Sequence, residues 1–165
     1  MPLTNNALPS VLPTRPVPFD VATAFANGQT LTATGFVNAI QTQIDLGPGR
    51  FEGYLVLDVS GLDLSSGDET YQLQLLASND PAFANGNVEM LAVRDFAAAA
   101  AGRLVPTICP ASYAVPMLGK AATRFEIPIT NQIGPYILRY AQLRAALAGT
   151  TPSITLAAWI APELC

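Results

Sequence analysis

From residue 29 to residue 161, apolar and polar residues repeatedly alternate with a period of two, and turn residues break the alternation at close spacing. A strand sends successive side chains to opposite faces, whereas a helix repeats near 3.6 residues, so this pattern points to half-buried strands. The clearest run is Thr70–Ser78, where Tyr71, Leu73 and Leu75 share one face and Gln72 and Gln74 the other. Arg124–Thr130 groups Phe125, Ile127 and Ile129, and Ser153–Ala161 groups Ile154, Leu156 and Ile160. Pro135–Leu143 groups Tyr136, Leu138 and Tyr140. Gln29–Thr34, Phe36–Leu46 and Val88–Phe96 read as further strands, and Gly53–Ser60 (GYLVLDVS) is apolar enough for the middle of a sandwich.

Turn chemistry separates these runs: Asp45-Leu46-Gly47-Pro48-Gly49, the Ser-Ser-Gly-Asp within 61–69, the Asn- and Gly-bearing stretch Asn79–Asn87, and Gly149–Pro152. About eight short strands of this kind predict an all-β fold, an antiparallel β-sandwich or jelly roll. No long helices alternate with the strands, which disfavours an α/β fold. Two segments stay open. Arg139–Leu147 (RYAQLRAAL) also has helical propensity, and Ala97–Ala101 fits either one helical turn or a loop of small residues.

The first 20 residues are of another kind. Pro2, Pro9, Pro13, Pro16 and Pro18 stand among Asn, Ser and Thr, with Leu3, Leu8, Val11, Leu12, Val17 and Phe19 between them. Proline fixes φ and removes a donor, so the segment is expected to be extended and polyproline-like. Its apolar side chains suit an arm that docks on another surface, the other reading being a free terminus. The expected organisation is an extended arm over 1–28 and a single β-sandwich domain over 29–165. Leu12, Pro13, Arg15, Pro16, Val17 and Phe19 are the arm's candidate partner-binding residues.

Composition narrows the function. Only 12% of the chain is charged while 50% is apolar, against about 25% charged in ordinary soluble domains. So few ionic groups suggest a surface partly covered by other protein. With a net charge of −4 and eight basic residues scattered from Arg15 to Arg144, phosphate backbones find no basic stripe, and no nucleic-acid partner is expected. No secretory leader is recognisable in Met1–Ser10, and apolar stretches such as Phe96–Ala101 are too short for a helical span, so no membrane partner is expected. Cys109 and Cys165 match neither a disulfide framework nor a metal spacing and read as free thiols in a reducing cytosol.

Catalytic chemistry is hard to assemble here. The chain has no histidine, which removes the usual Ser-His-Asp and Cys-His arrangements and the commonest zinc ligand. Asp58, Asp63, Asp68 and Glu69 flank one loop and are the one carboxylate set to weigh as a hydrolytic pair or calcium site. Asp/Ser/Gly runs are more often solvated turns, and Asp80 before Pro81 reads as a turn residue. The expectation is no enzyme, no metal and no cofactor. Trp159, opposite Ile154, Leu156 and Ile160 if alternation holds, could be a subunit-contact anchor, a carbohydrate platform or part of a sheet covered on both sides. It joins the candidate partner-binding residues.

One family resembles this layout. Ile44–Gly47 leading into Gly53–Val59, then Tyr71–Asp80, then Gly134–Tyr140, a Gly-Thr turn and Ile154–Ile160 follow one another as in the jelly-roll capsid cement (decoration) proteins of tailed bacteriophages. The likeness spans about residues 40–162 and lies in alternation and turn placement. It implies a virion structural protein on the capsid exterior, assembled in the host cytoplasm. Such a protein would form homotrimers and stabilise contacts between major capsid proteins. The alternative is a carbohydrate-binding β-sandwich of a phage spike or host-recognition structure.

Overall fold

The computed structural model describes residues 20–84, 87–97, 104–106, 112–114 and 123–162. After a short 3-10 turn at Val21–Thr23, capped by Asp20 Oδ1 accepting from the Ala22 N–H, every element is a strand. The strands are β1 (Ala24–Leu31), β2 (Gly35–Phe36), β3 (Ile44–Asp45), β4 (Glu52–Leu62), β5 (Thr70–Ser78), β6 (Glu89–Ala97) and β7 (Leu104–Pro106). They continue with β8 (Ser112–Ala114), β9 (Thr123–Thr130), β10 (Gln132–Ile133), β11 (Tyr136–Ile137), β12 (Tyr140–Ala148) and β13 (Ile154–Pro162). Among the described residues no helix is long and apolar enough to cross a membrane.

Two antiparallel sheets face each other. The first runs β1-β13-β4-β9; the second runs β2-β12-β5-β6, with β3 pairing β12 beside β2. Taking β2 and β3 as one broken strand, the chain's first strand pairs with its last, the second with the seventh, the third with the sixth and the fourth with the fifth. That is one long antiparallel hairpin rolled over on itself, the jelly-roll topology. The expected all-β sandwich is the observed fold. The two small hairpins, β7–β8 and β10–β11, are insertions in this winding.

The core lies between the sheets and follows the period-two pattern. Tyr71, Leu73 and Leu75 of β5, Leu55 and Leu57 of β4, Leu143 of β12, and Ile154, Leu156 and Ile160 of β13 are all buried there. Each such side chain contributes about 1.5–3 kcal/mol by leaving water. Phe125, Ile127 and Ile129 of β9 join from the far edge, and the Arg94 guanidinium lies 4.2 Å over the Phe125 ring, closing the seam between β6 and β9. Close approach fixes a glycine where β4 begins: a Cβ on Gly53 would sit 2.2 Å from the Ala161 carbonyl.

Three expectations need correction. The sandwich starts before residue 29, because β1 begins at Ala24 and Phe25 is fully buried. Within β1, Asn27 and Gly28 fall where the β1–β13 register shifts and make a bulge inside the strand. Phe36–Leu46 is not one strand. β2 and β3 pair with β12, and the Val37 N–H still donates to the Leu143 carbonyl at 2.9 Å, but the 38–43 segment leaves that sheet to bond β1, with the Ile40 N–H donating to the Phe25 carbonyl at 2.8 Å. Finally, Arg139–Leu147 lies in strand, not helix, yet with the opposite phase to that expected for this stretch. Leu138 is buried, but Tyr136 is 67% exposed and the inward residues of β12 are Ala141, Leu143 and Ala145. Residues 138–139 interrupt the pairing and reset the alternation. Of Ala97–Ala101, β6 includes Ala97 and the rest lies outside the described residues.

Candidate functional surfaces

Each of the four carboxylates around the 61–69 loop is engaged in a tie of the fold. Asp58, on the outer side of β4, pairs with Arg124 at 2.8 Å. Asp63 Oδ1 accepts from the Ser65 N–H and hydroxyl, forming a local turn. Glu69 is fully buried and accepts from the N–H groups of Ser66 and Gly67, both at 2.9 Å. Asp68 reaches across to the β12–β13 turn, where the Thr150 N–H and hydroxyl both donate to it. Those bonds, the backbone one foremost, hold the Asp68 carboxyl below the usual range. The same turn packs so closely on this loop that a Cβ at Gly149, whose φ is +119°, would meet the Glu69 Cα at 2.7 Å. Tyr71 completes the knot: its hydroxyl lies 2.5 Å from the Asp63 carbonyl and accepts from the Ser153 N–H at 3.1 Å, and burial raises its pKa above that of a free phenol. Among the described residues no group of three or more potential ligands could hold a metal ion. Asp80 is a turn residue as expected, accepting from the N–H groups of Ala82 and Ala84.

Trp159 points to the outer face of the first sheet, opposite Ile154, Leu156 and Ile160, but it is only 3% exposed. It forms a second, smaller core with Ala24, Val56 and Ala161, against which Ile40, Tyr54 and Ala157 pack. Gln29 Oε1 accepts from the Asn38 and Ala39 N–H groups and pins the covering segment. Arg124, already paired with Asp58, places its guanidinium 5.4 Å from the indole ring centre. Of the roles open to this residue, the structure supports a sheet covered on both sides; as a partner-binding anchor or a glycan platform Trp159 is withdrawn from contact.

The outer face of the second sheet is open. Its register lays Phe36, Arg144, Gln74 and Val93 in one row across four strands, and Gln142, Leu76 and Met90 in the next. Phe36, Met90 and Val93 are exposed at 42%, 49% and 44%, large apolar groups in positions where solvent alone would favour polar ones. Between them runs a hydrogen-bonded ladder. Arg144 donates to Gln74, Gln74 to Gln72, and Gln72 to Asp95. The centre of the face is therefore amide-rich and pairs a single cation with a single anion. Sequence alternation missed this surface because the β5–β6 register shifts at Leu75/Leu76. The apolar run of β6 thereby divides, Ala92 and Phe96 inward and Met90 and Val93 outward. The signal available was the excess of apolar residues in β6 over what one face can bury.

One end of the sandwich collects the remaining features. Beside Asp20, where the N-terminal segment enters, Ile44, Leu46, Phe51, Ile160 and Pro162 line a mostly apolar pocket with Asp45 on its rim. Arg139 pairs bidentately with Asp45, and that pairing, with a bond from the Gly47 N–H, keeps the Asp45 carboxyl below its ordinary range. A second cleft is lined by Asn79, Asn87, Glu89, Ile133, Tyr136 and Leu138. The arm residues Leu12, Pro13, Arg15, Pro16, Val17 and Phe19, and both cysteines, lie outside the described residues. No family model matches this chain, and neither a curated protein nor a solved structure is significantly similar to it.

Proposed function

We propose that this chain is a non-catalytic virion structural protein, a capsid cement protein that lies on the outer capsid surface as a homotrimer and stabilises contacts between major capsid proteins. The observation that carries the reading is the open face of the second sheet, where Phe36, Met90 and Val93 stand exposed around an amide ladder. A face of this kind loses little on desolvation: its two charges have opposite sign, its amides already bond one another, and its apolar rim gains from burial. The carboxylates weighed for a hydrolase are engaged in loop ties and in a cross-strand ion pair, and the jelly roll is a scaffold that capsid proteins share. The cement reading also rests on the order of runs and turns between residues 40 and 162. Adhesion across several subunits lets weak contacts add through effective concentration.

The test is co-sedimentation with the expanded capsid shells of the phage that encodes the chain. Wild-type protein should pellet with shells, and Met90→Ser with Val93→Ser should weaken that association about tenfold or more while leaving the fold intact. Removing residues 1–19 should weaken it further. Undiminished pelleting of the double variant would remove this face from the contact, and failure of the wild type to pellet would end the cement reading.

A further inference from the structure

The cleft at the arm end of the sandwich is built differently from the open sheet face. One wall is the β10–β11 hairpin, whose turn Gly134-Pro135 brings Ile133 and Tyr136 opposite each other as a cross-strand pair. Tyr136 is the most exposed large apolar side chain among the described residues at 67%, and Ile133 stands beside it at 37%. Leu138, buried at 2%, supplies an apolar lining residue. The opposite wall comes from the β5–β6 connection and the start of β6, which bring Asn79, Asn87 and Glu89, two amides and a carboxylate.

This arrangement is held rigidly. Asn131, fully buried, accepts from the Phe51 N–H at 2.7 Å and donates to the Gly49 carbonyl at 3.0 Å, anchoring the hairpin base to the 47–51 loop. The Leu138 N–H donates to the Asn131 carbonyl at 2.8 Å. Asn79 accepts the Arg139 N–H through Oδ1 at 3.0 Å, which fixes its amide orientation and turns its NH2 donors to other use. The nearest cation, Arg139, is drawn away to Asp45. A pre-formed site avoids the ordering cost that a loop site meets on binding.

We propose that this cleft is a subsite for one neutral pyranose ring of a glycan. An exposed phenol ring offers a flat apolar surface to the C–H face of a sugar. Amide donors and a carboxylate acceptor at its side match ring hydroxyls, which both donate and accept. The volume, about 190 Å³, suits a single ring and lies below the range of drug-sized pockets. With Glu89 in the wall and no cationic side chain among the lining residues, acidic sugars are disfavoured. The site is separate from the sheet face assigned above to capsid contact and does not depend on that reading.

The test is an NMR titration of the full chain, with backbone amides observed, against glucose, galactose, N-acetylglucosamine and N-acetylneuraminic acid. At least one neutral sugar should bind saturably with a Kd of about 1 mM, shifting the amides of Asn79, Asn87 and Tyr136. Tyr136→Ala should weaken binding roughly tenfold or more, whereas Tyr136→Phe keeps the ring and should stay near wild type. Denaturation curves of both variants should match wild type, since Tyr136 lies at the surface. Absence of saturable shifts with all three neutral sugars, unchanged binding in Tyr136→Ala, or preference for the acidic sugar would overturn the proposal. Shell pelleting is read separately: its loss with sugar binding retained counts against the cement reading alone, and the converse against this cleft alone.

Discussion

The two outer faces of the sandwich come from strands of the same period and end as opposite kinds of surface. On the first sheet the outward positions of the central strands hold small residues around one large one: Ala157 and Ala161 flank Trp159 along β13, and Ala24 and Val56 stand opposite it on the neighbouring strands. The hollow they leave is filled by the indole and covered by Ile40 from the segment between β2 and β3. On the second sheet the outward positions of β5 and β12 hold Gln72, Gln74, Gln142 and Arg144, each only partly buried. A small-large mixture on an outward face thus marks a face the chain covers itself. Amides mixed with exposed Phe36, Met90 and Val93 mark one that stays open to solvent among the described residues.

The most severe test of this contrast is Trp159→Ala. Removing an indole that is only 3% exposed leaves a cavity, and the expected cost is about 3–5 kcal/mol in chemical denaturation. A near-neutral result would mean that the first face is as open as the second. Ile40→Ala follows. Ile40 packs over the same cluster while being only partly buried, so a loss of about 1–2 kcal/mol is expected, with Trp159 fluorescence shifted to the red as water reaches the ring. Stability unchanged with emission unchanged would show that the 38–43 segment does not act as the cover.

Arg124→Ala is a finer probe. The half-exposed pair with Asp58 and the placement over Trp159 should together be worth about 0.5–1 kcal/mol, reduced by salt for the ion-pair part. A loss as large as that of Trp159→Ala would make Arg124 a principal part of the cover.

Acid separates the faces from the loops that tie the far end. The Asp68 carboxyl titrates below its ordinary value of 3.8 because Thr150 donates to its charged form. Its contribution is therefore complete above about pH 4, where the unfolded group is also ionised, and is lost as pH falls through the depressed value. Asp68→Asn should flatten the stability profile in that acid interval. The same substitution should leave the acid response of the Trp159 emission as it is in the wild type, because neither Asp68 nor Thr150 belongs to the Trp159 cluster. An emission profile altered by Asp68→Asn would couple the two regions and undo the distinction.

How far this molecule could be read beforehand depends on where alternation is continuous. Tyr71, Leu73 and Leu75, and likewise Ile154, Leu156 and Ile160, lie inward as the period-two pattern requires. The pattern fails where a bulge or a break resets it: at Ala26/Gln29, at Leu75/Leu76 opposite β6, and at residues 138–139 before β12. Alanine hid the inward face of β12, since Ala141 and Ala145 carry little hydrophobic signal beside Tyr140 and Tyr136. The placement of Trp159 off the main core was legible; its cover was not, because Ile40 arrives from a segment that looks like strand. The sheet face with Met90 and Val93 depends on a register shift between β5 and β6, of which the excess of apolar residues in β6 is the only local trace, and the Tyr136 cleft joins residues 79–89 to residues 133–138, a meeting no local pattern encodes.

The smallest expected change in stability lies on the open face. Val93 is 44% exposed on an edge strand opposite Gln74, so Val93→Thr keeps the β-branched shape and replaces one methyl by a hydroxyl. On a surface already in water this should alter folding stability by no more than about 0.5 kcal/mol. Met90→Gln, beside Leu76, should behave alike. The contrast with Trp159→Ala is then a factor of six or more in free energy between two outward positions of one sandwich. A cost above about 2 kcal/mol at Val93 would show that this face is buried in the isolated protein, through self-association or a covering segment. Repeating the measurement over a range of protein concentrations separates these, because only self-association makes the penalty grow with concentration.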